Sequence, residues 1–196
     1  MAVLVVFAHP KPDAFAGDLL GAVVGGLAEA GHDVDVVDLY REGFDATLSA
    51  EEWRAYPGSD SVLAPSLARY AEKLRGADVL AFVFPMWWSG PPSMLKGFFD
   101  RALAPGVAFH LADDGRVSPG LRNIRRIVVA TAAEPPGYFS HRSTRHLAHK
   151  FARSLRRSTG WTARVTVAWA GPGDAGDPDK QHRFLEHTRG VLARLQ

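Results

Sequence analysis

The chain contains no cysteine, which excludes disulfide bonds, thiolate metal ligands and cysteine nucleophiles. No metal site is predicted. No apolar run approaches the roughly 20 residues that a membrane-spanning helix needs, so membrane insertion is not expected. The first residues, MAVLVVFAHP, lead straight into an apolar segment without a basic stretch or a small-residue cleavage site, which indicates a cytoplasmic protein. No GxGxxG motif follows that segment, which disfavours a dinucleotide-binding Rossmann domain.

Acidic residues are missing from one part of the chain. Residues 141–164 hold seven Lys or Arg and no Asp or Glu, and a basic stretch raises nucleic acid as a partner. These basic residues interleave with Leu147, Phe151 and Leu155 at helical spacing, however, which is typical of an ordinary surface helix. We therefore predict no nucleic-acid partner.

The strongest local pattern is VLAFVFPMWWSGPPSMLKGFFD at residues 79–100. Residues 79–84 form an unbroken apolar run that predicts a strand buried on both faces of a parallel sheet. Pro85 is expected to end this strand, and the glycine and prolines that follow keep the next residues in a loop before a helix begins. Trp87 and Trp88 would then lie on a rigid loop at the carboxyl end of a strand, where open α/β sheets bind ligands. The alternative is that the two indoles fill the core.

Further apolar runs alternate with helical patterns along the chain, which predicts one α/β domain over residues 1–196. The region around Trp53 is polar and expected to be irregular, and residues 104–123 form a long, turn-rich segment with a hairpin tip at residues 113–115. The predicted strands cover residues 2–8, 33–38, 79–84, 125–131 and 161–169; the predicted helices start near residue 15, cover 65–75, start at 93, follow Tyr138, and cover 181–195.

The run PMWWSGPPSMLKGFFDRAL resembles the flavin-loop signature of the NAD(P)H:quinone oxidoreductase family of flavodoxin-like proteins. That family also includes drug-activity modulators and ancillary proteins of glutathione-regulated potassium-efflux systems. The resemblance implies a doubly wound, five-stranded parallel sheet of order 2-1-3-4-5 with helices on both faces and ligands at the ends of strands one, three and four. It also implies bound FAD or FMN, NAD(P)H as co-substrate, and ping-pong hydride transfer to a quinone-like acceptor.

The resemblance assigns cofactor-binding residues to the first two loops. In the first, AHPKPDAFAGDLL is similar to the family's AHPxxxSFN pattern around the flavin phosphate, with His9 and Phe15 matching. Ala14 and Ala16 replace the hydroxyl and the amide, so backbone N–H groups at the helix start remain as the donors. In the second loop, the residues that hold the flavin ring correspond to Pro85, Met86, Trp87 and Trp88.

The third loop is similar to the family's TGGxxxxY segment. Thr131 and Tyr138 match at the same spacing, whereas Ala132 and Ala133 replace the two glycines that allow close backbone approach. The resemblance gives Thr131, Ala132 and Ala133 to the cofactor and makes Tyr138 the catalytic and substrate-binding residue. It further implies a homodimer in which Phe109 of one subunit covers the partner's flavin and contacts the acceptor.

Two other functions are compatible with this sequence. The first is a flavin- or nucleotide-binding regulatory subunit of a potassium-efflux system, with little or no turnover. The second is a scaffold of the same fold that binds no flavin. The first rests on the resemblance to the potassium-efflux ancillary proteins, and the alanines at residues 14, 132 and 133 favour both. Lys96 and Asp100 match the family's LKGxxDR element and are interpreted as an i,i+4 pair on a helix surface.

Overall fold

The structure is a computed structural model, and it describes residues 1–11, 13–56, 64–112, 114–133, 141–171 and 176–196, without the side chains of residues 141–144. Tyr138 and the predicted loop at residues 134–137 therefore lie outside the described residues. So does Asp113, at the predicted hairpin tip.

Five parallel strands form the central sheet in the order β2-β1-β3-β6-β7. This confirms the predicted order 2-1-3-4-5, since β6 and β7 are the fourth and fifth strands of that sheet. The buried strands are rich in Val, Ile and Phe, which pack well on a pleated surface. A separate antiparallel hairpin, β4 with β5, lies within the long segment where a hairpin was predicted. The strands are β1 Ala2–Phe7, β2 Asp33–Asp38, β3 Val79–Met86, β4 Phe109–Leu111, β5 Val117–Pro119, β6 Arg126–Ala133 and β7 Arg164–Ala170.

Helices cover both faces of the sheet, and each face has its own apolar core. One core lies under α3, α4 and α5, and the other lies under α1 and α6. In the part of the chain that the structure describes, no helix is long and apolar enough to cross a membrane. The helices are α1 Phe15–Glu29, α2 Ala50–Ala55, α3 Ala68–Gly76, α4 Ser93–Ala102, α5 His141–Leu155 and α6 Pro178–Leu192, with 3-10 turns at Pro65–Leu67 and Arg156–Thr159.

The strand β3 is longer than the sequence predicted. It continues through Pro85 and Met86, which pair with Ala132 and Ala133 of β6, so the expectation that Pro85 ends the strand is wrong. On the other side of β3, pairing with β1 stops at Val83. Pro85 thus has a strand neighbour on one side only, and proline is tolerated at such edge positions because its missing N–H is not needed there.

The helix α2 was not predicted, because the region around Trp53 was expected to be irregular. Ser49 accepts a hydrogen bond from the backbone N–H of Glu52, and the Glu52 side chain accepts one from the backbone N–H of Ser49. This capping box stabilises the first turn of a short helix. At the other end of the chain β7 begins at Arg164 instead of residue 161, because Trp161 has a φ of 67° and cannot continue a strand.

The helices α1 and α6 pack unusually close together at Gly26. A Cβ atom at this position would lie 2.5 Å from the backbone oxygen of Arg189 and 3.0 Å from Cβ of Leu192. Glycine is therefore needed for the approach rather than for a special φ. The contact joins the first helix of the chain to the last one in the structure and closes the core on that face.

Candidate functional site

The carboxyl ends of β1, β3 and β6 meet at one edge of the sheet. Phe7 pairs with Val83, and Phe84 pairs with Thr131. The three segments in which the sequence placed its cofactor-binding residues therefore leave the sheet side by side. In doubly wound sheets this is where ligands bind.

After β3 the chain makes a tight two-residue turn. The backbone N–H of Trp87 donates to the carbonyl of Gly90 at 3.0 Å, and the N–H of Gly90 donates back at 2.9 Å. Trp88 and Ser89 lie between them with φ of 48° and 61°. Two positive φ values are typical of a type I′ turn, which usually contains Asn or Gly. A residue with a side chain in this conformation costs about 1–3 kcal/mol, and such strain concentrates at functional sites.

The two tryptophans have different surroundings. Trp87 is half-buried, with its ring centroid 5.8 Å from that of His9. The side chain of Trp88 is 91% exposed. Neither belongs to the buried cores, which contradicts the alternative that the indoles fill the protein interior. Met86 is different, because it is 6% exposed and its side chain is covered by protein.

The first segment after β1 brings His9 to the site. This histidine is 6% exposed, and its Nδ1 lies 2.6 Å from the carbonyl oxygen and 3.1 Å from the backbone nitrogen of Lys11, so its tautomer decides whether it donates to the first or accepts from the second. The following helix, α1, begins without a side-chain cap because Ala14 has no polar group. The first N–H groups of α1 therefore have no side-chain acceptor from the cap residue, and such groups at a helix start favour an anion.

Two of the predicted phosphate-loop residues serve packing in this structure. The ring of Phe15 lies 6.1 Å from the ring of Phe184 on α6, so it joins the first and last helices. Ala16 is 4% exposed and belongs to the core between α1 and the sheet. Of the three predicted residues in this segment, His9 is the one whose side chain lies next to the tryptophan turn.

The third predicted segment is a strand end rather than a loop. Thr131, Ala132 and Ala133 belong to β6, and none of the three has a positive φ. Alanine disfavours the positive φ that glycine can adopt, but residues 132 and 133 do not need it here, so the two alanines cause no backbone strain. The Oγ1 atom of Thr131 is fully buried and has no hydrogen-bond partner among the described residues. A buried hydroxyl without a partner costs free energy and is expected to have a functional reason.

The residue predicted to cover the partner's flavin, Phe109, lies at the start of β4 and is half-buried. Its ring centroid is 6.4 Å from that of Tyr56. The helix α4 separates this region from the tryptophan turn. It starts shortly after Gly90, and its ten residues correspond to a length of about 15 Å.

An ion pair at the carboxyl end of α4 holds α2 in place. Arg101 is 9% exposed; its Nε lies 3.0 Å from Oε1 of Glu52, and its Nη2 lies 2.7 Å from the same oxygen. Burial acts to raise the pKa of Glu52, but the hydrogen bonds from Arg101 and Ser49 and the charge of Arg101 outweigh it and lower this pKa. Sequence reasoning missed this pair, although the Ser49/Glu52 spacing is a recognisable capping-box signal. The predicted Lys96/Asp100 pair is present as an exposed i,i+4 contact.

The described residues suit a flavin better than a metal. Among them no group of three or more His, Asp or Glu side chains could hold a metal ion. By contrast, an uncapped helix start, a strained aromatic turn and an unpartnered hydroxyl lie at the ends of three adjacent strands. A phosphate can be held by the first of these, and the flat, polar-edged ring of a flavin by the other two.

Comparison with known proteins identifies the family. Residues 1–162 match a family model described as having a flavodoxin-like fold, so the chain belongs to this flavodoxin-like family. Several of its relatives are named as oxidoreductases. Along its whole length the chain is 31% identical to the NAD(P)H:quinone oxidoreductase from Methanothermobacter marburgensis, of which it covers 99%, with a TM-score of 0.84. The predicted family and fold class are thereby confirmed.

Curated relatives named as dehydrogenases match this chain over part of their length. The chain is 35% identical over 127 residues to a ribosyldihydronicotinamide dehydrogenase-like protein of Penicillium crustosum, a match that covers 58% of this chain and 48% of that protein. It is 34% identical over 126 residues to the human ribosyldihydronicotinamide dehydrogenase (quinone), covering 56% of this chain and 54% of that protein. The chain spans about half the length of the curated relatives it matches.

Proposed function

We propose that this protein is a flavin-dependent oxidoreductase that takes hydride from NAD(P)H and passes it to a quinone-like acceptor by a ping-pong mechanism, as a homodimer. The observation that carries the proposal is the strained turn at Trp88 and Ser89, which follows β3, next to the strand β6 that carries the unpartnered hydroxyl of Thr131. The names of the relatives support the same reaction class.

The protein's own residues would bind and orient the cofactor and the substrates. The N–H groups at the start of α1 and the side chain of His9 would hold the flavin phosphate. Trp87 and Trp88 would form a wall of the ring slot, and Thr131 would offer a hydrogen bond to the polar edge of the ring. A bound FMN or FAD would supply the redox chemistry, while the protein would position the reactants and provide oriented dipoles.

Two further residues complete the proposed site. Tyr138 would direct its hydroxyl at an acceptor oxygen, and Phe109 of the partner would cover the flavin. Replacing Tyr138 with Phe is expected to leave flavin binding intact and to slow the acceptor half-reaction, by at most about 100-fold if the hydroxyl donates a hydrogen bond or a proton. Unchanged quinone kinetics would reduce Tyr138 to a packing residue.

The visible absorption spectrum of the purified protein is the direct test. A flavin spectrum, followed by release and identification of FMN or FAD, is expected. The bound form should then oxidise NADH or NADPH with a simple quinone far faster than free flavin does. A colourless protein that cannot be reconstituted with either flavin would contradict the proposal.

A regulatory flavin-binding subunit is the second candidate function. The observation in its favour is the side chain of Ala14, which leaves the start of α1 without the hydroxyl cap that the family pattern supplies. The same assay separates the two candidates, because flavin binding without turnover favours the regulator. Turnover well above that of free flavin favours the enzyme.

A further inference from the structure

Three aromatic side chains form a row on the surface of the protomer. The rings of Trp53 and Tyr56 lie 6.0 Å apart at an interplanar angle of 29°, and the ring of Tyr56 lies 6.4 Å from that of Phe109. We call these three residues the aromatic row. Its outer member, Trp53, is 64% exposed. A large aromatic surface left open to water is often a binding surface.

Polar contacts position the helix that carries the row. None of the residues of α2 is fully buried, although the half-buried ring of Tyr56 contacts Phe109. The position of this helix depends on the capping box and on the pair between Glu52 and Arg101, which is hydrogen-bonded through two guanidinium nitrogens. A second salt bridge, from Arg101 to Asp45 at 3.7 Å, ties the preceding segment to the same guanidinium. The arrangement fixes where Trp53 and Tyr56 are presented.

The row is remote from the tryptophan turn of its own protomer. The ion pair that anchors it lies at the carboxyl end of α4, whereas the turn lies before the start of that helix. The length of α4 therefore separates the two regions. Under the proposed function, in which Phe109 covers the partner's flavin, an acceptor that contacts the row would lie on the flavin of a second copy of the chain.

We infer that Trp53 and Tyr56 extend the wall formed by Phe109 and thereby select flat acceptors of several fused rings in the partner's site. This inference rests on the proposed function, in which Phe109 covers the partner's flavin. A one-ring acceptor can contact Phe109 alone, whereas a three-ring acceptor is long enough to extend from Phe109 along Tyr56 to Trp53. Burial and the negative charge of Asp100 raise the pKa of Tyr56, so its hydroxyl stays neutral and able to donate to a quinone oxygen.

The substitution Trp53→Ala, assayed with two acceptors, tests the inference. With 9,10-phenanthrenequinone we expect KM to rise about 3- to 10-fold at unchanged kcat, the size of one aromatic contact. With 1,4-benzoquinone neither constant should change. The matched control is Trp161→Ala, since Trp161 is 54% exposed and contacts Arg156 rather than the row. Trp53→Phe keeps an aromatic ring, so its KM should stay close to the native value. This variant separates loss of the ring from misfolding as the cause of a raised KM in Trp53→Ala.

A mixed dimer tests whether the row serves its own site or that of the partner. One protomer carries Trp53→Ala, and the other carries Trp87→Ala with Trp88→Ala, so only the first protomer has an intact slot. If the row acts on the partner, that slot is covered by the native row, and the KM for phenanthrenequinone should be native. A KM as high as that of the Trp53→Ala homodimer would overturn the assignment to the partner's site.

Other results would overturn the inference as a whole. Equal KM values for phenanthrenequinone in native protein and Trp53→Ala would overturn it. Dissociation of the Trp53→Ala dimer in sedimentation experiments would also overturn it, because the row would then be a subunit contact. If the native protein turns over neither quinone, the proposed function fails, but binding of phenanthrenequinone can still be followed by quenching of tryptophan fluorescence. Binding that Trp53→Ala weakens would then support the row, and absence of binding would contradict it.

Discussion

The two ends of the central sheet differ in how their polar groups are satisfied. At the amino end, the backbone N–H of Ala2 donates to Asp78 at 3.0 Å, and the amide of Asn123 donates to the carbonyls of Leu74 and Ala77 at 2.9 and 2.7 Å. At the carboxyl end, Trp88 is exposed with a positive φ, and the hydroxyl of Thr131 is buried without a partner. Both ends belong to the same strands.

This difference indicates that the amino end of the sheet contributes to stability and the carboxyl end to ligand binding. Satisfied buried polar groups stabilise the fold and have no capacity left for a ligand. Strained backbone and an unpartnered hydroxyl destabilise the fold, so they are expected where a ligand repays the cost. Substitutions at the amino end should therefore change the free energy of unfolding, and substitutions at the carboxyl end should change ligand affinity.

The largest effect is expected for Trp87→Ala combined with Trp88→Ala. Neither side chain is in a core, so the protein should fold normally. Removal of the aromatic wall should cost about 3 kcal/mol of flavin binding, or roughly 100-fold in Kd. Flavin fluorescence titration measures the affinity, and urea unfolding measures the stability.

Two outcomes would contradict this difference between the two ends of the sheet. A double variant that unfolds in step with its loss of flavin would place the tryptophans in the structural part of the molecule. A double variant that keeps native affinity would remove the flavin slot from this end of the sheet. The unrelated exposed residue Trp161, changed to Ala, is the control and should leave flavin binding unaltered.

The opposite behaviour is expected for Asn123→Ala. This change leaves two backbone carbonyls without their donor, at a cost of about 2 kcal/mol in the free energy of unfolding. Flavin Kd should stay native at temperatures where the variant is folded. Loss of flavin affinity without loss of stability would show that the amino end also takes part in binding.

The ion pair between Glu52 and Arg101 is a hydrogen-bonded structural contact. It should make the free energy of unfolding depend on pH. The folded-state pKa of Glu52 is lowered from the ordinary value of 4.5, so its stabilisation is present above that value and is lost as the pH falls through the folded value. Glu52→Gln should therefore destabilise the protein by about 1.5 kcal/mol at pH 7. The difference from native protein should shrink below pH 4, as thermal unfolding across this range would reveal. A difference that is constant with pH would exclude the carboxylate as its source.

The smallest effect is expected for Ser89→Gly. Glycine adopts the φ of 61° without strain, so the variant should be more stable by up to about 1 kcal/mol. The turn should also become less rigid, and flavin affinity should fall slightly. Chemical denaturation together with a flavin titration measures both changes. A less stable variant would mean that the serine hydroxyl has a structural contact that outweighs the strain.

The periodicity of the sequence was enough to locate the five sheet strands and most helices. Buried strands such as β3 are unbroken apolar runs, which are a strong signal. The order of the strands depended on the family resemblance, since several doubly wound orders have the same sequence of elements. The end of β3 was missed because tolerance of Pro85 depends on the absence of a neighbour beside it, and a single segment does not reveal its neighbours.

The candidate site was predictable in its location but not in its details. The pattern of Pro and Gly around Trp87 and Trp88 indicated a rigid turn at a strand end, and the structure has one. The different exposure of the two indoles could not be predicted, because it follows from backbone φ values that Gly usually adopts. The ion pair of Glu52 and Arg101 joins residues 49 positions apart, and separations of that kind have no periodic signal. Tyr138 stays a prediction.

The close packing at Gly26 has a consequence for the order in which the chain folds during synthesis. The helices α3, α4 and α5 precede α6, so the core on their face can form while α6 is still unmade. The core under α1 includes Leu192 and Leu195 as well as residues of the strands, so it stays incomplete until α6 emerges. Parallel strands also cannot fold as local hairpins, which makes folding slow. The nascent chain can therefore complete the core under α3, α4 and α5 first, whereas the core under α1 is completed only when the last helix has been made.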